Sequence, residues 1–352
     1  MKRIILTIVQ LAVTIAMLWW VFHDPGQRAK MWEALHKANY WWVAGGVIAY
    51  LTVEASAALR WQILLRVQKI NLSMPRVSGL FLIGMFFNQF LPGGTGGDIV
   101  KSYLLLKETD KKAGGLLAVV FDRLIGLVAL VTITVVLVSI RFDWLWNTPV
   151  TVESGGGFTP RRLLVVLLLL LGTSLSGLVA SFIISGFNLF RWLPHKFPGR
   201  EKLMEVSAAY HLYARHWIAT SFAFGASLVA HLATFTTFLC VAYAFGAMVP
   251  IIDFFAVLPI ERTITALPIS FAGVGLREQI LQVLLSNLCH IDVPVAKLIG
   301  TMSFLIILFC SAPGGIVYFF YRPSGEKRHV RMREMEREVA TLEHELSETE
   351  AE

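Results

Sequence analysis

Six apolar runs, each long enough to cross a bilayer as a helix, recur at approximately 4–22, 41–65, 113–140, 162–186, 217–245 and 295–321. A hydrocarbon core of about 30 Å calls for about 20 helical residues. No water inside it can satisfy an exposed backbone, so such runs commit the chain to helices. Composition agrees: 56% of the 352 residues are hydrophobic and 16% are charged, against about 25% charged in a soluble domain. The expected fold is an all-α polytopic membrane protein. Lys2 and Arg3 before the first run resemble the start of a secretory leader. That run, however, is long, ends in Trp19-Trp20 and lacks a small-residue cleavage site, so it is expected to remain as a helix.

Two further apolar regions are short and interrupted. Residues 77–91 and 98–107 flank Leu91-Pro92-Gly93-Gly94-Thr95-Gly96-Gly97-Asp98, and residues 251–267 and 277–288 flank Leu267-Pro268 and Gly273-Val274-Gly275-Leu276-Arg277-Glu278. As helices the first two would reach only about 22 Å and about 15 Å. Each region is expected to be a broken re-entrant helix pair that enters the membrane and returns to the same side. Irregular backbone at that depth is tolerated only where protein or a wet cavity covers it. Glycine-broken segments at corresponding places in two halves of a membrane protein point to a transport site.

Loop charges orient the chain. Lys2, Arg3, Arg66, Lys69, Arg76, Lys107, Lys111, Lys112, Arg191, Lys196, Arg200, Lys202, Arg322, Lys327, Arg328, Arg331 and Arg333 fall on one side, which the positive-inside rule makes cytoplasmic. The opposite loops 141–160, 246–250 and 289–294 are poor in Lys and Arg, whereas 23–40, with Arg28, Lys30 and Lys37, runs against the pattern. Both termini are then cytoplasmic in a bacterial-type inner membrane. Residues 1–145 hold two spans, a broken pair and a third span; residues 160–322 repeat that order. Three crossings per unit is odd, so the second unit is expected to be inverted. Residues 199–216 read as an interfacial amphipathic connector. The charged tail 323–352 reads as a solvated cytoplasmic helix, its apolar spacing too short for a coiled coil.

Nine ionisable residues lie in or beside membrane segments: Glu54, Arg60, Asp98, Asp122, Arg123, Glu261, Arg262, Arg277 and Glu278. Each would cost about 2.5–3.5 kcal/mol alone at a helix centre, so the default reading is functional, with mutual pairing between the repeats as the bland alternative. The glycines, Gly96 and Gly97 among them, let backbone approach a ligand, and they feed a helix N-terminus whose N–H groups attract anions. Asp98 there either caps the helix, pairs with Arg123 or meets a cationic group.

Several classes are excluded. The net charge of +7 lies in short loops and sets topology, so no nucleic acid is expected. Cys240, Cys289 and Cys310 form no CxxC, and the nine histidines show no metal spacing. GxxxxGK[ST] and GxSxG are absent, and the longest segments outside the membrane are too short for a nucleotide-binding domain. No cofactor is implied.

Asn88-Gln89-Phe90-Leu91-Pro92-Gly93-Gly94-Thr95-Gly96-Gly97-Asp98, then Asp122-Arg123, then Leu267-Pro268 and Gly273-Val274-Gly275-Leu276-Arg277-Glu278, resemble the flippase-like transmembrane domain of lysylphosphatidylglycerol synthases. The resemblance covers roughly residues 5–320, with Asp122-Arg123 where the family often has Glu-Arg. It implies a stand-alone member without the aminoacyl-transferase domain, and Asp98, Arg123, Arg277 and Glu278 as the residues that handle lipid. The function expected is movement of a phospho- or glycolipid headgroup between leaflets through an alternating-access cavity. Arg123, Arg262 and Arg277 would neutralise a phosphate; Asp98, Glu261 and Glu278 would bind a cationic headgroup, a proton or the arginines; Glu54 and Asp122 complete the set. Rival readings are a membrane enzyme acting on a lipid or polyprenyl-linked substrate, and a non-transporting partner of a separate lipid-modifying enzyme. A homo-oligomer is compatible with each.

Overall fold

The computed structural model describes residues 24–90, 96–150, 159–186, 200–265 and 275–322. The run 4–22, the segments 91–95, 151–158, 187–199 and 266–274, and the tail 323–352 lie outside the described residues. Every element described is helical. Among the described residues, five helical stretches are long and apolar enough to cross a membrane: Tyr40–Val67, Lys112–Ile140, Pro160–Gly177, Trp217–Ala244 and Val293–Phe320. They coincide with five of the six runs read from the sequence.

In chain order the helices are α1 (Pro25–Lys37), α2 (Tyr40–Val67), α3 (Met74–Phe90), α4 (Gly96–Leu106), α5 (Lys112–Ile140), α6 (Phe142–Asn147), α7 (Pro160–Gly186), α8 (Arg200–Arg215), α9 (Trp217–Ala244), α10 (Ile251–Thr265), α11 (Leu276–Leu288), α12 (Val293–Ser311) and α13 (Pro313–Phe320). Between α12 and α13, Ala312 keeps helical angles (φ −56°, ψ −38°), so the two form one span. The start of α2 is set by Asn39, whose side chain accepts from Trp41 N at 3.1 Å.

The α2–α9 pair is the most extensive helix contact. Small residues let the backbones approach, as lipid-embedded helices require in the absence of a hydrophobic drive between them. A Cβ on Gly46 would come within 3.5 Å of the Thr237 carbonyl oxygen. Asn39 N donates to Ala244 O at 2.8 Å, so the start of α2 meets the end of α9. Around this pair α5 packs on α10, and α12 packs on α3. Large apolar residues face outward, including Leu169 at 65% exposure and Phe309 at 69%, as a perimeter solvated by lipid demands.

The ends of the short helices show how they lie. Arg76 Nη2 at the start of α3 is 3.3 Å from Glu108 Oε1 just past α4, and Lys111 Nζ donates to Lys69 O at 2.9 Å. The end of α2, the start of α3, the end of α4 and the start of α5 therefore share one level, and α3–α4 is a hairpin. At the other level, Arg141 Nε beyond α5 is 2.6 Å from Asp253 Oδ1 in the first turn of α10.

Candidate functional site

The inner ends of both broken pairs open on one cavity of about 520 Å³. Its walls take Glu54 and Arg60 from α2, Asn88 and Gln89 from α3, Asp98 and Lys101 from α4, and Asp122 and Arg123 from α5. His231 enters from α9, Arg262 and Thr265 from α10, and Arg277 from α11. Glu54, Asp122 and His231 lie near the middle of their spans, so the polar cluster sits at depth.

Most of its charges are matched. Asp122, 1% exposed, is held by two cations: Arg60 Nε at 2.7 Å and Lys101 Nζ at 3.6 Å. Arg60 Nη1 also donates to Ser227 Oγ at 3.2 Å, tying α2 to α9. Asp98 pairs with Arg123 and lies 3.7 Å from Lys101 Nζ. The ammonium of Lys101 further sits 4.4 Å from the centre of the Trp61 ring, an attraction that strengthens when water is excluded. Four charged residues from three helices thus form one chain, Arg60–Asp122–Lys101–Asp98, closed by Arg123. On α5, Gly126 makes room for it: a Cβ there would stand 3.2 Å from Arg60 Nη1, and its carbonyl meets His231 Nε2 at 3.0 Å.

The second broken pair is arranged differently. Arg277 Nε lies 3.6 Å from Glu261 Oε1, behind the wall, and its guanidinium is 5.0 Å from the Phe304 ring centre. Arg262 faces the cavity with no ion pair among the described residues; its guanidinium carbon is 5.7 Å from the Phe238 ring centre. Glu54, 6% exposed, has a buried Oε1 with no hydrogen-bond partner among the described residues. An uncompensated cation and an unpartnered carboxylate at this depth are expensive, and both face the same space.

Of the residues singled out from the sequence, Glu54, Asp98, Asp122, Arg123, Arg262 and Arg277 line the cavity, while Glu261, Glu278, Gly96 and Gly97 do not. Glu278 closes the start of α11, its Oε2 accepting from Gly275 N at 2.7 Å. Glu261 is fully buried and accepts from Thr265 Oγ1 at 3.0 Å. Gly97 N donates to Asn88 Oδ1 at 2.9 Å, and a Cβ on Gly97 would run into the carbonyl oxygen of Gly84. The N–H of Gly97 therefore closes the α3–α4 hairpin and is not offered to a ligand. Lys101 and His231 were missed. Lys101 follows Asp98 by one helical turn on a segment assigned to the membrane, and His231 stands in a span that holds no Asp, Glu, Lys or Arg; both signals were present in the sequence.

Residues 7–314 match the lysylphosphatidylglycerol synthase TM region family. The chain belongs to this family. It is also 25% identical over 134 residues to the UPF0104 membrane protein PH1989 of Pyrococcus horikoshii, a match spanning 37% of this chain and 38% of that one. Membership is consistent with a lipid-related membrane function.

Proposed function

We propose that the protein carries a polar lipid headgroup between leaflets by alternating access to this cavity. One observation carries the reading: a cavity lined by ionisable groups, at mid-membrane depth, where both broken helix pairs meet. Arg262 and Arg277 would neutralise a headgroup phosphate, and Glu54 would accept from a hydroxyl or ammonium on the same headgroup. The acyl chains would stay in the bilayer. The Arg60–Asp122–Lys101–Asp98–Arg123 chain holds α2, α4 and α5 together around the first broken pair.

The reading includes two inverted units, 1–145 and 160–322, with the Lys/Arg-rich face cytoplasmic in an inner membrane. Reciprocal packing supports it: α2 against α9, α5 against α10, α12 against α3. So do two contacts at opposite levels. Arg141, just past the last span of the first unit, meets Asp253 in the first turn of α10. Tyr321, just past the last span of the second unit, donates to Glu108, which also pairs with Arg76 in the first turn of α3. Each contact ties the mouth of one broken pair to the far end of the other unit, where a gate belongs.

Purified protein in liposomes carrying fluorescent lipids of several headgroups tests the function. Leaflet exchange of at least one lipid without a new product is expected. A new lipid product would replace transport by catalysis, and neither outcome would leave the role of a partner to a separate enzyme.

A further inference from the structure

Away from the cavity, a second groove of about 590 Å³ lies between the foot of α2 and the corner where α8 turns into α9. Ile63, Val67, Ile218 and Phe222 form its apolar part, with Arg66 and Arg215 on the rim and Trp217 beside them. Among the described residues, no acidic side chain lines it. Neither arginine has an ion pair among the described residues, and both are exposed.

The corner is pinned, so the groove is preformed. Tyr213 Oη donates to Leu64 O at 3.2 Å, and Thr220 Oγ1 donates to Tyr213 O at 2.9 Å. Tyr213 also stacks on Phe121 of α5 at 4.2 Å. The depth is that of lipid headgroups, because two spans, Tyr40–Val67 and Trp217–Ala244, end and begin there. Trp217, 66% exposed, stands at the first position of its span, where aromatic rings mark the membrane–water interface. Below the arginines Ile218 and Phe222, 57% and 69% exposed, continue into the apolar zone.

We propose that this groove binds one phospholipid with a net negative headgroup from the Lys/Arg-rich leaflet. Its phosphate lies between Arg66 and Arg215, and an acyl chain lies along Ile63, Ile218 and Phe222. Charge complementarity selects the occupant. A zwitterionic head would bring an ammonium into a site with two arginines and no carboxylate, and a free anion would leave the apolar part uncovered. The site is separate from the transport cavity and does not depend on what that cavity carries.

Native mass spectrometry of the purified full chain, delipidated and titrated with phosphatidylglycerol, phosphatidylcholine or inorganic phosphate, tests it. Phosphatidylglycerol should give a one-lipid adduct in preference to phosphatidylcholine. Arg66→Gln with Arg215→Gln should weaken that adduct by about 10- to 30-fold, at about 1 kcal/mol per cation near an anionic surface. Arg262→Gln in the cavity should leave it intact. Phe222→Ser should weaken the long-chain lipid more than a short-chain analogue. The proposal is overturned by equal phosphatidylglycerol affinity in the double arginine variant, by equal retention of phosphatidylcholine, or by competition from inorganic phosphate at equal concentration. Loss of the adduct in Arg262→Gln alone would also overturn it, by assigning the lipid to the cavity.

Discussion

Asp122 is the residue on which the charge network turns. It answers both Arg60 and Lys101 from a site 1% exposed. Asp122→Asn leaves two buried cations short of an anion and should destabilise the protein by about 3–5 kcal/mol, read as a lowered unfolding temperature in detergent. The double change Arg60→Leu with Asp122→Leu should cost less than the sum of the singles, by about 1–3 kcal/mol; strict additivity would mean that the pair is not coupled. Gly97 gives the second test at this scale. Its missing Cβ lets α4 lie against the Gly84 carbonyl, so Gly97→Ala should cost about 1–3 kcal/mol through overpacking. Gly172 on α7 has nothing within 4 Å of its would-be Cβ, so Gly172→Ala should be neutral or stabilising by up to about 1 kcal/mol. Equal melting temperatures for the two alanine variants would show that the close approach of α4 to α3 does not matter.

At the scale of elements, the broken pairs are tied at their mouths by contacts of unequal chemistry. Arg141 and Asp253 approach to 2.6 Å as an ion pair without forming a hydrogen bond, and their side chains remain 37% and 21% exposed. An ion pair this open contributes about 0.2–1 kcal/mol, so Arg141→Ala should barely change melting. A weak contact is what a gate needs, since it must break in each cycle. Cysteines placed at 141 and 253 in a background without the native three, joined by a short reducible bifunctional reagent, should stop lipid exchange, with recovery on reduction. The same experiment at 76 and 321 should do likewise. Full exchange with either link in place would falsify the gate assignment.

For the whole molecule, the arrangement of levels makes a topology prediction. Arg66, Lys69, Arg76, Lys107, Lys111 and Arg215 gather at one level, and Arg141, Val150 and Asp253 at the other. With the Lys/Arg-rich level cytoplasmic, an impermeant maleimide should label a cysteine at 150 from outside and one at 109 only after the membrane is opened. Labelling of 150 from the cytoplasmic side alone would reverse the orientation and, with it, the leaflet assigned to the second groove.

Hydropathy is a local property, because a helix in lipid must hide its own backbone whatever surrounds it. The sequence alone therefore determined five of the spanning segments, the two places where short helices are interrupted, and which charges stand inside apolar runs. Partners are not local. Asp122 meets Arg60 and Lys101, and Tyr321 meets Glu108, through the way helices cross. Residues as alike in pattern as Glu54 and Glu261 part ways: the first faces the cavity, while the second is buried behind it. The glycine and carboxylate read as headgroup contacts, Gly97 and Glu278, are spent on helix packing and on a helix start. Only the tertiary structure decided these assignments, since a buried charge is satisfied by whichever opposite charge the packing brings within reach.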